Sequence, residues 1–319
     1  MNCLDCLLRV STTEDLNQEP EILEWSVQGG GKVATAMVAA SLLGATTSIL
    51  TMVGDDEAGD YVISDFERYG VNISRAVTQE RGKTNIYFIL VDSRSGVGKW
   101  VKPDVIRDWG LPQPIARAIE WAETPQSRPF RTFTSDELHF VTQGKILHVD
   151  GFLRGDCLKA TRIAQHAGVP TCYDMYSHPD IVDLLANITY CIPSRKAAMN
   201  FTGVTDPKGM CETLLRYGPQ VAGVTLGEEG SVFMSATEYV VRGAFKVPVV
   251  DTTGAGDVFH GAFCYGVANR WQLVRTIEFS SAVSALKCTK LGGRAGIPTY
   301  ALVDKFLEEN VEEIRKGAT

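Results

Sequence analysis

The sequence has no excess of positive charge and no long uninterrupted apolar run. Its 319 residues contain 31 Lys and Arg against 38 Asp and Glu, a net charge of −7. That balance argues against a general nucleic-acid or anionic-membrane surface, while a small local anion site stays compatible with it. The longest uncharged stretch, residues 33–53, is interrupted by Gly44 and by several Ser and Thr, which favours a buried helix and strand over a membrane span.

Patterns typical of disulfides, metal sites and secretion are also scarce. The 8 Cys are scattered, and only Cys3 and Cys6 are spaced like a metal or redox pair, with no second pair and no nearby His. We therefore expect plain thiols in a reducing compartment. No basic segment followed by a long apolar core is visible near Met1, so the sequence predicts a cytoplasmic protein without a signal peptide.

What is present is the pattern of an α/β protein. By a prior of roughly 150 residues per domain, the length allows two domains or one large one. Strand-like and helical segments alternate along most of the chain, which predicts a mostly parallel sheet with helices on both faces. Two β-rich pieces, near residues 7–27 and 84–102, break the alternation and could form a small separate sheet.

One segment carries the chemistry. Residues 251–257, DTTGAGD, follow a strand-like apolar run at 245–250 and precede a helical pattern. Two glycines and an alanine let the backbone approach a ligand, and the start of a helix contributes N–H groups and a positive dipole end, so we expect an anion site. Asp257 could take a proton from a hydroxyl while the site stabilises charge on a phosphoryl group. The alternative is a Gly-rich turn with Asp257 as a helix-start charge.

The segment 251–263, DTTGAGDVFHGAF, resembles the C-terminal signature of the PfkB carbohydrate kinases, the ribokinase family. Residues 29–45 resemble the family's N-terminal glycine signature. Shorter motifs match in order, so that the similarity runs from about residue 2 to about residue 310: GDD at 54–56, GVN at 70–72 and VTLGEEG at 224–230. Together with residues 285–290 and 292–298, these motifs look most like the sulfofructose kinase-like branch.

The resemblance implies one ribokinase-like domain over residues 1–319, a three-layer α/β/α fold with a mostly parallel central sheet. A small β-sheet lid would be inserted at about 6–28 and 83–103. The implied reaction is ATP-dependent phosphorylation of a primary hydroxyl on a small sugar or sugar derivative, with Mg²⁺ and possible use of K⁺. Neither nucleic acid nor a membrane is an expected partner, and since lids of this family often pair, a homodimer is expected.

The resemblance also assigns residues to roles. Asp257 matches the catalytic base, and the backbone of Gly254, Ala255 and Gly256 matches the anion hole. The positions that match the sugar site are Asp5, Gly30, Gly31, Lys32, Thr35 and Asp150. The positions that match the nucleotide loop are Thr225, Gly227 and Gly230. The positions that match a monovalent-cation site, mostly through carbonyls, are Asp251, Thr253, Lys287, Lys290, Gly292 and Gly296.

Several positions depart from the family or admit two interpretations. Thr35 stands where the family often has Asn, which puts a ribose-type hydroxyl pattern in doubt. The family's Asn-x-x-Glu is absent, since residues 194–197 read SRKA, so Mg²⁺ would be held by nucleotide phosphates, water and other residues. Lys32 could face a substrate anion or be a solvated loop lysine, and Asp150 could contact sugar or cap a turn.

The family usually has several more residues of the first strand before the position of Met1. A longer chain with clearly higher thermal stability is the outcome expected if the start lies further upstream. The short first strand and the absent Asn-x-x-Glu motivate one alternative, a non-catalytic sugar- or nucleotide-binding relative. A nucleoside kinase of the same fold is the other, and the identity of the sugar stays open.

Overall fold

Twelve strands and twelve α-helices, besides two short 3₁₀ helices, form in the residues that the computed structural model describes, 2–16, 19–124, 130–176 and 180–316. The strands are β1 (Cys3–Val10), β2 (Ile22–Gly30), β3 (Ser48–Gly54), β4 (Asn72–Gln79), β5 (Ile86–Asp92), β6 (Gly98–Val101), β7 (Leu147–Val149), β8 (Thr171–Tyr173), β9 (Tyr190–Cys191), β10 (Val221–Thr225), β11 (Ser231–Ser235) and β12 (Tyr239–Arg242). The helices are α1 (Lys32–Leu42), α2 (Glu57–Arg68), α3 (Pro103–Ile106), α4 (Gln113–Glu123), α5 (Ser135–His139), α6 (Arg154–His166), α7 (Ile181–Leu185), α8 (Arg195–Thr202), α9 (Pro207–Leu215), α10 (Ala255–Ala268), α11 (Leu273–Lys287) and α12 (Tyr300–Lys316).

The largest sheet has the order β12-β11-β10-β9-β8-β7, in which β7 to β10 are parallel and β11 and β12 are antiparallel. Successive side chains of a strand point to opposite faces. Cys172 accordingly packs with Phe259 and Phe263 of α10, while Tyr173 packs with residues of α7 and α9 on the other face. This confirms the predicted three-layer α/β/α fold.

A second sheet, with the order β2-β1-β5-β6, contains the two β-rich pieces that broke the alternation. β1 pairs antiparallel with β2 and parallel with β5, and β5 and β6 form an antiparallel hairpin. In this arrangement Gly30 of β2 pairs with Cys3 of β1, and the side chain of Asp5 lies over Gly30. A side chain is excluded at Gly30, because a Cβ there would lie 2.0 Å from Oδ2 of Asp5.

A cleft separates the third sheet from the largest one. The third sheet is the parallel pair β3-β4. Between β3 and β7 lies a cavity of about 680 Å³, also lined by residues of α1, α5, α6 and α10. Within the described residues, β7 is a terminal strand of the largest sheet, and one edge of β3 faces this cavity.

One sequence-based expectation about local structure was wrong, and one helix was not predicted. Residues 245–250, all of them described, form no strand. Phe245 packs against Phe306 of α12, and Val250 donates its N–H to the carbonyl of Cys288. These long-range contacts hold the segment in a conformation that does not join a sheet. Helix α8, which was not predicted, begins where the Ser194 side chain accepts a hydrogen bond from the N–H of Ala197.

In the ranges that are described, no helix combines the length and apolar character needed to cross a membrane.

Candidate active site

The segment 251–257 forms a loop that leads directly into α10. Gly254 caps this helix with a φ of +75°, and a Cβ at Gly254 would lie 2.9 Å from Cα of Gly293. The N–H of Ala255 donates to the carbonyl of Thr252 at 3.1 Å, and nothing lies within 4 Å of a Cβ built at Gly256. Because the first N–H groups of a helix have no intrahelical acceptors, this open corner can receive an anion.

Asp257 lies in the first turn of α10, half-buried beside this corner. Burial raises the pKa of Asp257 to about 7, and the negative charge of Asp174 raises it further than those of Asp5 and Asp150 do. Lys32 opposes the shift. A carboxylate whose pKa lies near neutrality is suited to general base catalysis.

Asp174 holds the lysine of the site. The Nζ of Lys32 donates to Oδ1 of Asp174 at 2.8 Å, and Nε2 of His260 lies 3.9 Å from the same oxygen. Burial alone raises the pKa of Asp174, but the charges of His260 and Lys32 outweigh it, and the net shift is downward. Burial lowers the pKa of His260 to about 4, so this histidine is neutral at neutral pH. The positive charge that faces Asp174 is then that of Lys32.

Sequence reasoning missed Asp174, although a signal was present. Asp174 directly follows the buried strand β8, as Asp150 follows the neighbouring strand β7. Residues after the carboxyl ends of adjacent parallel strands meet at the same edge of a sheet. The apolar runs that precede Asp150 and Asp174 in the sequence therefore contained enough information to place both carboxylates together.

The other expected sugar-site residues surround the same corner. Burial raises the pKa of Asp5 to about 6. Asp150 is buried and its Oδ1 accepts the N–H of Phe152 at 2.9 Å, so it does cap a turn, while its charge also acts on Asp257. Gly31 caps α1 with a φ of +97°, and Thr35 is buried within that helix.

A buried ion pair that sequence reasoning missed holds the end of β2, which contains Gly29 and Gly30, in place. The guanidinium of Arg294 donates to Oδ2 of Asp65 at 2.6 Å and to the carbonyl of Gly30 at 3.3 Å. The N–H of Gly29 donates to the same Asp65 oxygen at 3.0 Å. Asp65 and Arg294 are far apart in the chain, so no local pattern indicates that they meet.

Comparison with known proteins decides the family. A sequence model described as pfkB family carbohydrate kinase matches residues 6–98 and 123–300, well over half of the chain. The chain belongs to the pfkB family of carbohydrate kinases. It is thus a phosphotransferase of the sugar kinase type, as the sequence motifs predicted.

Individual relatives span nearly the whole kinase. An ATP-dependent ribose-1-phosphate kinase of Halopiger xanaduensis is 26% identical over 314 residues, covering 97% of this chain and 96% of that protein. A ribokinase of Staphylococcus aureus is 26% identical over 285 residues and covers 87% of both chains. The structure of Arabidopsis thaliana ribokinase complexed with ribose and ATP superposes with a TM-score of 0.74 at 18% identity over 96% of each chain, which shows the shared fold.

The expected nucleotide loop of the kinase lies at the end of β10. Gly227 and Gly230 have φ values of +65° and +98°, and a Cβ at Gly230 would lie 2.0 Å from the carbonyl of Arg242. Thr225 forms a bridge with Ser194, so the segment 194–197 adjoins this loop. Arg195 makes two hydrogen bonds of 2.7 Å to the carboxylate of Glu229. Segment 194–197 offers no carboxylate that could hold Mg²⁺.

The expected cation site of the kinase is built around Asp251. Its Oδ1 accepts the N–H of Thr253 at 2.8 Å, and its Oδ2 accepts the N–H of Gly292 at 2.7 Å. The ammonium of the buried Lys287 donates to the carbonyls of Asp251, at 2.9 Å, and of Thr253.

The remaining residues expected at the cation site, Lys290 and Gly296, lie beside the backbone carbonyl of Lys287. Its carbonyl accepts the N–H of Lys290 at 3.3 Å, and a Cβ at Gly296 would lie 2.3 Å from the same oxygen. A monovalent metal ion does not fit while the Lys287 ammonium occupies the carbonyls of Asp251 and Thr253.

Two substitutions should shift the pH dependence of the kinase in opposite directions. Asp257 acts as a base only when ionised, so kcat/KM should fall as the pH drops through about 7. Lys32→Met removes a charge that lowers the pKa of Asp257. This pKa should therefore rise, and the loss of activity on acidification should begin at a higher pH. Asp174→Asn removes a charge that raises this pKa, so activity should persist to lower pH. The measurement is the pH profile of kcat/KM for the best sugar substrate.

The matched control is Lys305→Met, which removes an exposed lysine of α12 and should leave the profile unchanged. Shifts of Lys32→Met and Asp174→Asn in the same direction would contradict this electrostatic interpretation of the site.

Proposed function

We propose that this kinase transfers the γ-phosphoryl group of ATP to a primary hydroxyl of a small sugar or sugar derivative, with Asp257 as the general base. The observation that carries the proposal is the position of Asp257. Its carboxyl group, with a pKa of about 7, lies in the first turn of α10 beside backbone N–H groups that can receive an anion. Proton removal and phosphoryl stabilisation are thereby brought to one place.

Several of the expected residues have a role in this proposal. Asp257 accepts the proton of the attacking hydroxyl, and the backbone of Gly254, Ala255 and Gly256 stabilises the charge on the transferred group. Asp5 accepts hydrogen bonds from sugar hydroxyls and orients the sugar. The loop that contains Thr225, Gly227 and Gly230 contacts the nucleotide. The Mg²⁺ that accompanies ATP would be held mainly by phosphate oxygens and water, because this ion retains several waters.

The names of the relatives support a sugar acceptor and an ATP donor. The Halopiger xanaduensis protein is named for ATP and ribose 1-phosphate, and the Arabidopsis thaliana structure contains ribose and ATP. In this chain the Lys32 charge is paired with Asp174 at 2.8 Å, so an anionic substituent of the sugar has to compete with that carboxylate. The assignment to the sulfofructose kinase-like branch stays a prediction.

The sheet β2-β1-β5-β6 is proposed to act as the lid of the domain. Both the N–H and the hydroxyl of Thr252 donate to the carbonyl of Gly96, in the turn between β5 and β6, at 2.9 and 3.1 Å. This turn therefore contacts the loop that forms the anion hole. Movement of the sheet over the sugar would exclude water during transfer.

A coupled assay of ADP release tests the function. We expect one strong substrate in a panel of fructose, ribose, ketodeoxygluconate, sulfofructose, phosphosugars and nucleosides with Mg-ATP. Asp257→Asn should reduce the rate on that substrate by about 10²–10⁴-fold, since it removes a general base. Asp304→Asn, at an exposed position of α12, is the control and should retain activity.

Full activity of Asp257→Asn would refute the mechanism. A nucleoside as the single strong substrate would favour a nucleoside kinase. ATP binding without any turnover across the panel would favour a non-catalytic relative.

We further propose that the lid sheet pairs with that of a second copy. Two tryptophans are exposed on its outer strands, Trp25 on β2 by 45% and Trp100 on β6 by 64%. Sedimentation velocity should show a dimer that Trp25→Glu dissociates. The control Tyr239→Glu, at an exposed aromatic of β12, should leave it intact, and a monomeric unmodified protein would overturn this expectation.

A further inference from the structure

Lys287 occupies an unusual place for a lysine. Its side chain is fully buried, at 0% exposure, at the end of α11. Its ammonium donates to two main-chain carbonyls, those of Asp251 and Thr253. Both residues belong to the loop that precedes the anion hole.

The Asp251 carboxylate offsets part of the cost of burying this ammonium. The Asp251 carboxylate is fully buried and accepts two backbone N–H groups, from Thr253 and Gly292. Asp251 and Lys287 thus form a unit in which a side-chain anion holds N–H groups and a side-chain cation holds carbonyls. Carbonyl oxygens arranged in this way are also the ligands that monovalent metal ions take in proteins.

We propose that the Lys287 ammonium is a built-in replacement for a monovalent metal ion and positions the anion-hole loop of this kinase. Lys287 is a positioning residue, because it acts on the transferred phosphoryl group through the backbone of residues 251–256. The proposal rests on the proposed function. Its consequence is that the unmodified enzyme needs no K⁺, whereas an enzyme without the ammonium exposes carbonyls that K⁺ can occupy.

The test compares the unmodified protein with Lys287→Ala in potassium chloride and in choline chloride at equal ionic strength. The unmodified protein should have the same activity in both salts. Lys287→Ala should lose about 10²–10³-fold in kcat in choline chloride, as expected when an oxyanion site is disturbed, and should recover in potassium chloride with little change in KM for the sugar. Lys305→Ala, at an exposed lysine, should behave like the unmodified protein.

A readout independent of catalysis separates this proposal from the proposed function. Potassium chloride should raise the melting temperature of Lys287→Ala relative to choline chloride and leave that of the unmodified protein unchanged. If Lys287→Ala does not fold, Lys287→Met keeps the length of the side chain and should show the same loss of kcat. A requirement of the unmodified enzyme for K⁺, or full activity of Lys287→Ala in choline chloride, would overturn the proposal.

Discussion

The buried Asp251 carboxylate is the contact on which the active corner depends. It joins the loop before α10, through the N–H of Thr253, to the loop after α11, through the N–H of Gly292. Each hydrogen bond involves a charged acceptor in a site that excludes water, where such bonds are strong. The ammonium of Lys287 completes the junction from the opposite side. The direction of the first N–H groups of α10 follows from this junction.

Around that junction the fold concentrates negative charge. Asp5, Asp150 and Asp174 all act on Asp257, while Lys32 is the cation that opposes them. Repulsion and burial disfavour ionisation of Asp257, which costs stability but makes its carboxylate a stronger base. The pairing of Lys32 with Asp174 keeps part of this charge neutralised, so that the cluster can persist in a half-buried site.

Much of the fold was predictable from local patterns. The alternation of strands and helices predicted the main sheet, and the two β-rich pieces that break this alternation lie together in the second sheet. The run at 245–250 looked like a strand because it is apolar, but apolar residues can equally pack against α12 without joining a sheet. Helix α8 was missed because its eight residues make only about two turns, and because its start depends on the Ser194 cap.

The sequence by itself determined the loop-to-helix segment 251–257, because the glycines, the helix start and Asp257 act over a few neighbouring residues. Only the tertiary structure decided what surrounds that segment. The Arg294–Asp65 pair, the Lys32–Asp174 pair and the Lys287 ammonium join residues 229, 142 and 36 positions apart. Such contacts are set by how the layers pack, and a charged residue's spacing in the chain contains no information about which distant partner will neutralise it.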